Sequence, residues 1–185
     1  MTKPAIFFDR DGIIVKPVGG EAPVKPEDME LIDGILPVIL KSRKSGYLIF
    51  VVSNQPDIAL GLIDEKTKNS LEEKFIRLLK ERNIEMDGIY YCHHDKNGTN
   101  LAYAINCDCR KPKPGLLKKA AGQFDINLKY SFMIGDRASD IKAGQAYGVK
   151  TILYDPLNLQ EKFLKKHSVN PDFSINELTE IVELI

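Results

Sequence analysis

The fold is decided by residues 5–12, which read Ala-Ile-Phe-Phe-Asp-Arg-Asp-Gly. Four apolar residues in a row are typical of a short strand buried on both faces, as in parallel sheets covered by helices. Two carboxylates, Asp9 and Asp11, follow this run directly. Because α/β sheets bind ligands beyond the carboxyl ends of their strands, the stretch predicts a buried strand that carries both carboxylates into a ligand site. A lone Asp-x-Asp-Gly would be better explained as an acidic turn.

Short apolar runs alternate with helical patterns along the rest of the chain. Further strands are predicted at residues 48–52, 88–91, 131–134 and 151–154. Helices are predicted from Asp33-Gly34 to Gly46, at residues 64–83, 116–124 and 140–147, and from a capping box at residues 174–177 onward. The alternation predicts an α/β protein with a doubly wound, mostly parallel, Rossmann-like sheet. Its 185 residues fit a single domain, residues 1–185, without a separate cap domain.

Composition excludes several classes of protein. The 26 Lys and Arg residues balance 26 Asp and Glu residues, which argues against binding nucleic acid through bulk positive charge. The polar motif at Asp9 begins too early for a signal peptide, and the longest strongly apolar run, residues 47–52, is too short for a transmembrane helix. We therefore expect a cytoplasmic monomer that binds neither nucleic acid nor membranes.

Polar clusters follow three of the predicted strands, at residues 9–12, 53–55 and 135–137. Since the carboxyl ends of parallel strands meet at one edge of a sheet, three clusters there indicate a site more strongly than any one of them. Asp136 and Asp140 would lie one turn apart on a helix, and a hard cation such as Mg²⁺ would remove their repulsion. Capping of the helix by either carboxylate is the simpler alternative.

A second cluster lies between residues 92 and 109, which contain all three cysteines and two of the three histidines. Cys92, His94, Cys107 and Cys109 supply the four ligands of a tetrahedral zinc site with no position left for water, so the pattern predicts structural zinc. His93 would point the other way on a strand. Small buried thiols and surface histidines are the alternative, but they leave the clustering unexplained. A metal here would fix the ends of a polar loop, about residues 92–109.

Four segments, residues 8–12, 52–55, 110–115 and 135–140, resemble the four motifs of the haloacid dehalogenase (HAD) superfamily in the right order. Together they span about residues 6 to 141. Within the superfamily the chain resembles the small capless branch that acts on heptose bisphosphate and histidinol phosphate. The resemblance implies a HAD fold and a phosphatase activity.

The same resemblance implies a role for each motif residue. Asp9 would be the nucleophile that forms an aspartyl-phosphate, and Asp11 the acid–base catalyst. Mg²⁺ would be held by the side chains of Asp9 and Asp136 and by the backbone carbonyl of Asp11. Phosphate or substrate would be bound by Ser53, Asn54 and Arg110, with Asp140 and Gln55 in supporting roles.

Lys111 would take part in catalysis by neutralising the transferring phosphoryl group, and Arg110 would recognise a second phosphate. The alternatives are that Lys111 is an ordinary solvated lysine and that Arg110 only forms an ion pair at the surface.

The implied substrate is heptose 1,7-bisphosphate, which would lose its 7-phosphate in the synthesis of nucleotide-heptose precursors. The alternative substrate is histidinol phosphate or another small phosphomonoester. Two other functions carry less weight: a nucleic-acid 3′-phosphatase, and a zinc-stabilised binding module without catalysis. Specificity would come from the loops at residues 16–26, 55–62 and 95–111. The chain has Ile13 where the family commonly has Thr. It also has Pro56-Asp57 and Leu60 where heptose phosphatases commonly have Ser-Gly and Arg, which makes that loop less cationic.

Overall fold

Parallel strands form the centre of the molecule, a computed structural model that describes residues 2–160, 164 and 168–185. Within those residues six strands pair in the order β3-β2-β1-β4-β5-β6. Their bounds are Ala5–Phe8 (β1), Leu48–Asn54 (β2), Gly88–Cys92 (β3), Phe132–Gly135 (β4), Lys150–Tyr154 (β5) and Phe173–Ile175 (β6). Every pair is parallel, as the continuous apolar runs predict.

Helices cover both faces of this sheet. Within the described residues the α-helices are Ile35–Lys44 (α1), Glu65–Glu81 (α2), Gly115–Ala121 (α3), Ala138–Tyr147 (α4) and Ile181–Leu184 (α5). Side chains alternate along β1, so Ile6 and Phe8 join one core with α1, α2 and α5. Phe7 faces the other way and joins a second core with α3 and α4. The doubly wound α/β architecture is thus confirmed.

The capping-box prediction at residues 174–177 is wrong in position. Ser174 and Ile175 belong to β6, where Ile175 pairs with Tyr154 and is buried. The cap lies two to three residues later, because Glu180 Oε1 accepts the backbone N–H groups of Asn176 and Glu177. A strand of three residues is too short to show its own pattern in the sequence.

The centre of the sheet sets the position of the site. Strand β1 lies between β2 and β4, so the carboxyl ends of these three strands open on one edge where the strand order reverses. The loop at residues 16–26 follows β1 and turns back through a bridge between Val18 and Glu21. Among the described residues, the structure contains no helix with the length and hydrophobicity that a bilayer crossing requires.

Candidate active site

A cleft of about 550 Å³ opens at this edge of the sheet. It is lined by residues from all three polar clusters and from the loops around them. The lining residues are Asp9, Asp11, Glu21, Ala22, Val24, Ser53, Asn54, Pro56, Asp57, Leu60, Leu62, Arg110, Lys111, Arg137 and Ser139. Residues far apart in the sequence therefore meet at the edge of the sheet where the sequence predicted a ligand site.

Two further carboxylates gather around Asp9, which lines the cleft. Oxygens of Asp9, Asp136 and Asp140 lie within 4.8 Å of one another. Among the described residues no hydrogen-bond partner reaches the buried Oδ1 of Asp136. Burial, with the charges of Asp9 and Asp140, raises the pKa of Asp136 to about 8. A buried carboxylate oxygen without a donor, next to two further carboxylates, fits a hard cation such as Mg²⁺.

Gly12 allows this close approach. Its φ of +82° is a conformation that favours glycine, and a Cβ at this position would lie 2.4 Å from Asp136 Oδ2. The backbone after β1 can therefore pass directly against the carboxylate that follows β4.

Asp140 does not share a helical face with Asp136, as the sequence had suggested. Helix α4 begins at Ala138, so Asp136 precedes the helix and Asp140 lies in its first turn. There Asp140 Oδ2 accepts the backbone N–H of Arg137 at 3.0 Å, which makes it a capping residue. Its other oxygen, Oδ1, lies 2.6 Å from Lys111 Nζ. Asp140 thus fixes both the start of α4 and the position of the lysine.

Lys111 is buried rather than solvated, with a relative exposure of 3%. Its Nζ lies 3.0 Å from Asp9 Oδ1 and donates to the Val52 carbonyl at 2.8 Å. Although burial opposes the charged form, Asp140 and Asp9 raise the pKa of Lys111 above its ordinary value. A fixed ammonium group therefore stands beside Asp9 and the cleft.

Asn54 has a contact that the sequence did not reveal. Its Nδ2 donates to the Lys111 carbonyl and its Oδ1 accepts the Lys111 backbone N–H, each at 3.0 Å. Asn54 thus holds the lysine backbone from both sides across 57 positions of sequence. Ser53, directly before it on β2, is buried and lines the cleft.

Two arginines line the cleft, and only Arg110 was predicted. Arg110 pairs with Asp95 at 3.0 Å and donates to the His94 carbonyl at 3.1 Å, so it is both an ion-pair partner and a cleft residue. Arg137 lies 3.4 Å from Glu21 of the loop after β1. Its position after Asp136 in a polar cluster was the one available signal, but the sequence does not give the direction of its side chain.

Two side chains donate hydrogen bonds to Asp11, the predicted acid–base residue. Arg10 Nε donates to its Oδ1 at 3.1 Å, and Gln55 Nε2 donates to its Oδ2 at 2.5 Å. Arg10 was not singled out from the sequence. It is nearly fully buried beneath the cleft.

The cysteine and histidine cluster also assembles. The three sulfur atoms of Cys92, Cys107 and Cys109 lie 3.1–3.5 Å apart, and His94 Nδ1 lies 3.4 Å from Cys109 Sγ. Ligands at ~2.3 Å from a tetrahedral zinc stand about 3.8 Å apart, so these atoms would move apart slightly to hold the ion. Although burial opposes ionisation, hydrogen bonds from Cys109 and the Arg110 backbone lower the pKa of Cys107 to about 6. The donor set therefore fits zinc.

His93 turns away from the thiols, as strand alternation predicts. Its Nε2 lies 3.0 Å from Glu72 Oε1 on α2, and its Nδ1 lies 3.2 Å from the Gln55 carbonyl. The two adjacent histidines thus lie in different environments, and only His94 faces the sulfur atoms.

Comparison with known proteins identifies the class. A protein of Photorhabdus laumondii subsp. laumondii is 40% identical over 140 residues, which cover 76% of this chain and 73% of that one. A protein of Escherichia coli strain K12 is 38% identical over 148 residues, covering 80% and 76%. Residues 108–181 also match the family model described as HAD-hydrolase-like. The chain belongs to the HAD superfamily of phosphatases, as the four motifs predicted. Both relatives bear the name D-glycero-beta-D-manno-heptose-1,7-bisphosphate 7-phosphatase.

The fold has a matching counterpart among solved structures. D,D-heptose 1.7-bisphosphate phosphatase from B. bronchiseptica, complexed with magnesium and phosphate, superposes with a TM-score of 0.79 at 24% identity. The superposition covers 98% of this chain and 97% of that one. The predicted HAD fold is therefore confirmed over nearly the whole chain.

Proposed function

We propose that the chain is a Mg²⁺-dependent phosphatase that removes the 7-phosphate of D-glycero-D-manno-heptose 1,7-bisphosphate. One observation carries the chemistry: Asp9, Ser53 and Lys111 line one cleft, and Asp9 lies beside the Asp136 oxygen that no donor among the described residues reaches. The names of the relatives supply the substrate.

Two aspartates perform the proposed reaction. A carboxylate oxygen of Asp9 attacks phosphorus, and the bond between phosphorus and the ester oxygen breaks as the new bond forms. Asp11 gives its proton to the departing sugar oxygen. It then takes a proton from the water that attacks the aspartyl-phosphate. Inorganic phosphate leaves, Asp9 returns as a carboxylate, and Asp11 returns as the protonated acid.

Fixed donors hold the phosphoryl group during both steps. Lys111 Nζ stands 3.0 Å from Asp9 Oδ1, where it can stabilise charge on the transferring oxygens. Ser53 offers its hydroxyl from the end of β2, and Asn54 keeps the Lys111 backbone in place. When held by Asp9, Asp136 and the backbone carbonyl of Asp11, Mg²⁺ would supply the charge that lets an anionic carboxylate approach a phosphate.

Arg110 would recognise the distal part of the substrate. It follows the last ligand of the proposed zinc site, Cys109, and is tied to the loop by Asp95 and the His94 carbonyl. Zinc bound by the four ligands would therefore be structural. It would hold Arg110 at the mouth of the cleft.

Histidinol phosphate remains a second candidate because of the loop after β2. Asp57 and Leu60 line the cleft where heptose phosphatases commonly have uncharged and cationic residues, and both cleft arginines are already paired with carboxylates. An acidic wall suits a substrate with an ammonium group better than a second phosphate.

A phosphate-release assay separates these candidates. The purified protein with Mg²⁺ would be offered both anomers of heptose 1,7-bisphosphate, histidinol phosphate and a 3′-phosphorylated oligonucleotide. We expect the highest kcat/KM for one heptose anomer, with heptose 1-phosphate as product. Turnover of histidinol phosphate without turnover of either anomer would reverse the assignment.

A further inference from the structure

We infer that Arg10 and Gln55 are positioning residues that hold the acid–base carboxylate Asp11 in place. This inference rests on the proposed function, since it assumes that Asp11 handles the proton of the leaving group. The three side chains form a closed triangle. Arg10 Nε donates to Asp11 Oδ1 at 3.1 Å, Arg10 Nη2 donates to Gln55 Oε1 at 2.5 Å, and Gln55 Nε2 donates to Asp11 Oδ2 at 2.5 Å.

Arg10 is the anchor of this triangle. It is 1% exposed, and its guanidinium lies 5.9 Å from the ring centroid of Phe75 and 5.6 Å from that of Tyr91. A buried charge is strongly disfavoured unless it is paired. Within the described residues Asp11 supplies the one carboxylate ion pair of Arg10. Two aromatic rings thus pack near the guanidinium group, and its donors point at Asp11 and Gln55.

Gln55 holds the second carboxylate oxygen of Asp11, and further hydrogen bonds fix the position of Gln55 itself. Its backbone N–H donates to the Cys92 carbonyl at 2.8 Å, and its carbonyl lies 3.2 Å from His93 Nδ1. The side-chain oxygen faces a donor, Arg10, while its nitrogen faces two acceptors, Asp11 and Ser53 Oγ at 3.0 Å. The amide can therefore satisfy all of these contacts in one orientation only.

The triangle has a chemical consequence. Asp11 projects from a tight turn at the cleft, and without these contacts its carboxylate could rotate away from the leaving oxygen. A proton donor contributes about 10²–10⁴-fold only when it is within hydrogen-bond reach of the atom it protonates. Loss of the triangle should therefore slow esters with poor leaving groups, which need the proton. In this first step, which kcat/KM reports, esters such as p-nitrophenyl phosphate, whose anion leaves unaided, should be spared.

The test compares Gln55→Met, which keeps side-chain length but removes the three side-chain hydrogen bonds of Gln55, with Arg10→Lys, which keeps the charge but loses the planar fork. For each folded variant kcat and KM are measured on heptose 1,7-bisphosphate, phenyl phosphate and p-nitrophenyl phosphate. We expect kcat/KM, which reports the transfer of the phosphoryl group to Asp9 and not the later hydrolysis of the aspartyl-phosphate, to fall about 10- to 100-fold on the first two esters and less than about threefold on the third. Asp11→Asn should show the same selectivity in stronger form.

Ser42→Ala is the matched control, because it removes a buried hydrogen bond, to the Val38 carbonyl, outside the cleft. It should lower stability without changing the ratio of rates between esters. Equal losses on all three esters in folded variants, or no loss on the sugar ester, would overturn the inference. If the wild type hydrolyses aryl phosphates but not the heptose ester, the proposed substrate fails while the phenyl-to-nitrophenyl ratio still tests the triangle. A wild type that hydrolyses no ester would overturn both.

Discussion

At the scale of single residues, the site combines side chains that the sequence made visible with partners that it did not. Asp9, Asp11 and Asp136 could be predicted because each follows a strand directly. Lys111 could be predicted as a motif residue, but not its burial. The clamp of Asn54 on Lys111 could not be predicted, because the two residues are 57 positions apart and meet only through the packing of the sheet.

Asp9→Asn tests the nucleophile. The amide cannot form the acyl-phosphate, so Mg²⁺-dependent phosphate release should fall by about 10³-fold or more. Circular dichroism and thermal melting should stay close to those of the wild type. Activity retained within about tenfold would show that another group attacks phosphorus.

Gly12→Ala tests the approach of the β1 turn to Asp136. The new Cβ would lie 2.4 Å from Asp136 Oδ2, and the φ of +82° adds strain of about 1–2 kcal/mol. We expect lower stability in urea and at least a tenfold higher Mg²⁺ concentration for half-maximal activity. Gly46→Ala is the matched control, since its φ is +86° and nothing lies within 4 Å of its Cβ. It should lose about 1–2 kcal/mol of stability from backbone strain alone and keep the same Mg²⁺ requirement.

At the scale of elements, most strands and helices follow from local patterns, and the exceptions have local causes. The apolar runs predicted β1 to β5, because most residues of these strands are buried or half-buried. Strand β6 was missed because its three residues leave no pattern. The start of α4 was misplaced by two residues, because a cap is decided by side-chain contacts such as that of Asp140 with the Arg137 backbone.

The loop between Cys92 and Cys109 yields a prediction at this scale. His94→Gln should abolish the bound zinc found by metal analysis, whereas His93→Gln should retain it because His93 faces Glu72. Cross-linking a loop of about 15 residues is worth about 3 kcal/mol, so we expect Tm to fall by about 6–12 °C for His94→Gln alone. KM should also rise as Arg110 loses its anchor. A zinc-free protein with unchanged Tm would contradict a structural metal.

At the scale of the whole molecule, two hydrophobic cores on opposite sides of the sheet hold the cleft residues in register. Phe7 lies at the centre of one core, stacked on Phe50 with 5.3 Å between ring centroids and edge-on to Tyr147. The order of the strands could not be predicted from the sequence, since an apolar run does not show which strands pair with it. The shared edge could be predicted because all parallel strands of one sheet end on the same side.

Phe7→Ala tests this core. Removing a fully buried aromatic ring should lower the free energy of unfolding by about 3–5 kcal/mol, measured by urea denaturation. Tyr130→Ala is the matched control, because Tyr130 is 53% exposed and its loss should cost about 0.5 kcal/mol or less. Similar losses for both variants would show that Phe7 is not central to stability.

The position of Lys111 has an energetic consequence for turnover. Its ammonium group is desolvated and aligned by Asp9, Asp140 and the Val52 carbonyl before any phosphate arrives. The free-energy cost of dehydrating and orienting that charge is therefore met once, during folding. Under the proposed mechanism each catalytic cycle would then begin with low reorganisation energy, because the ammonium group proposed to stabilise the transferring phosphoryl group is already fixed beside Asp9.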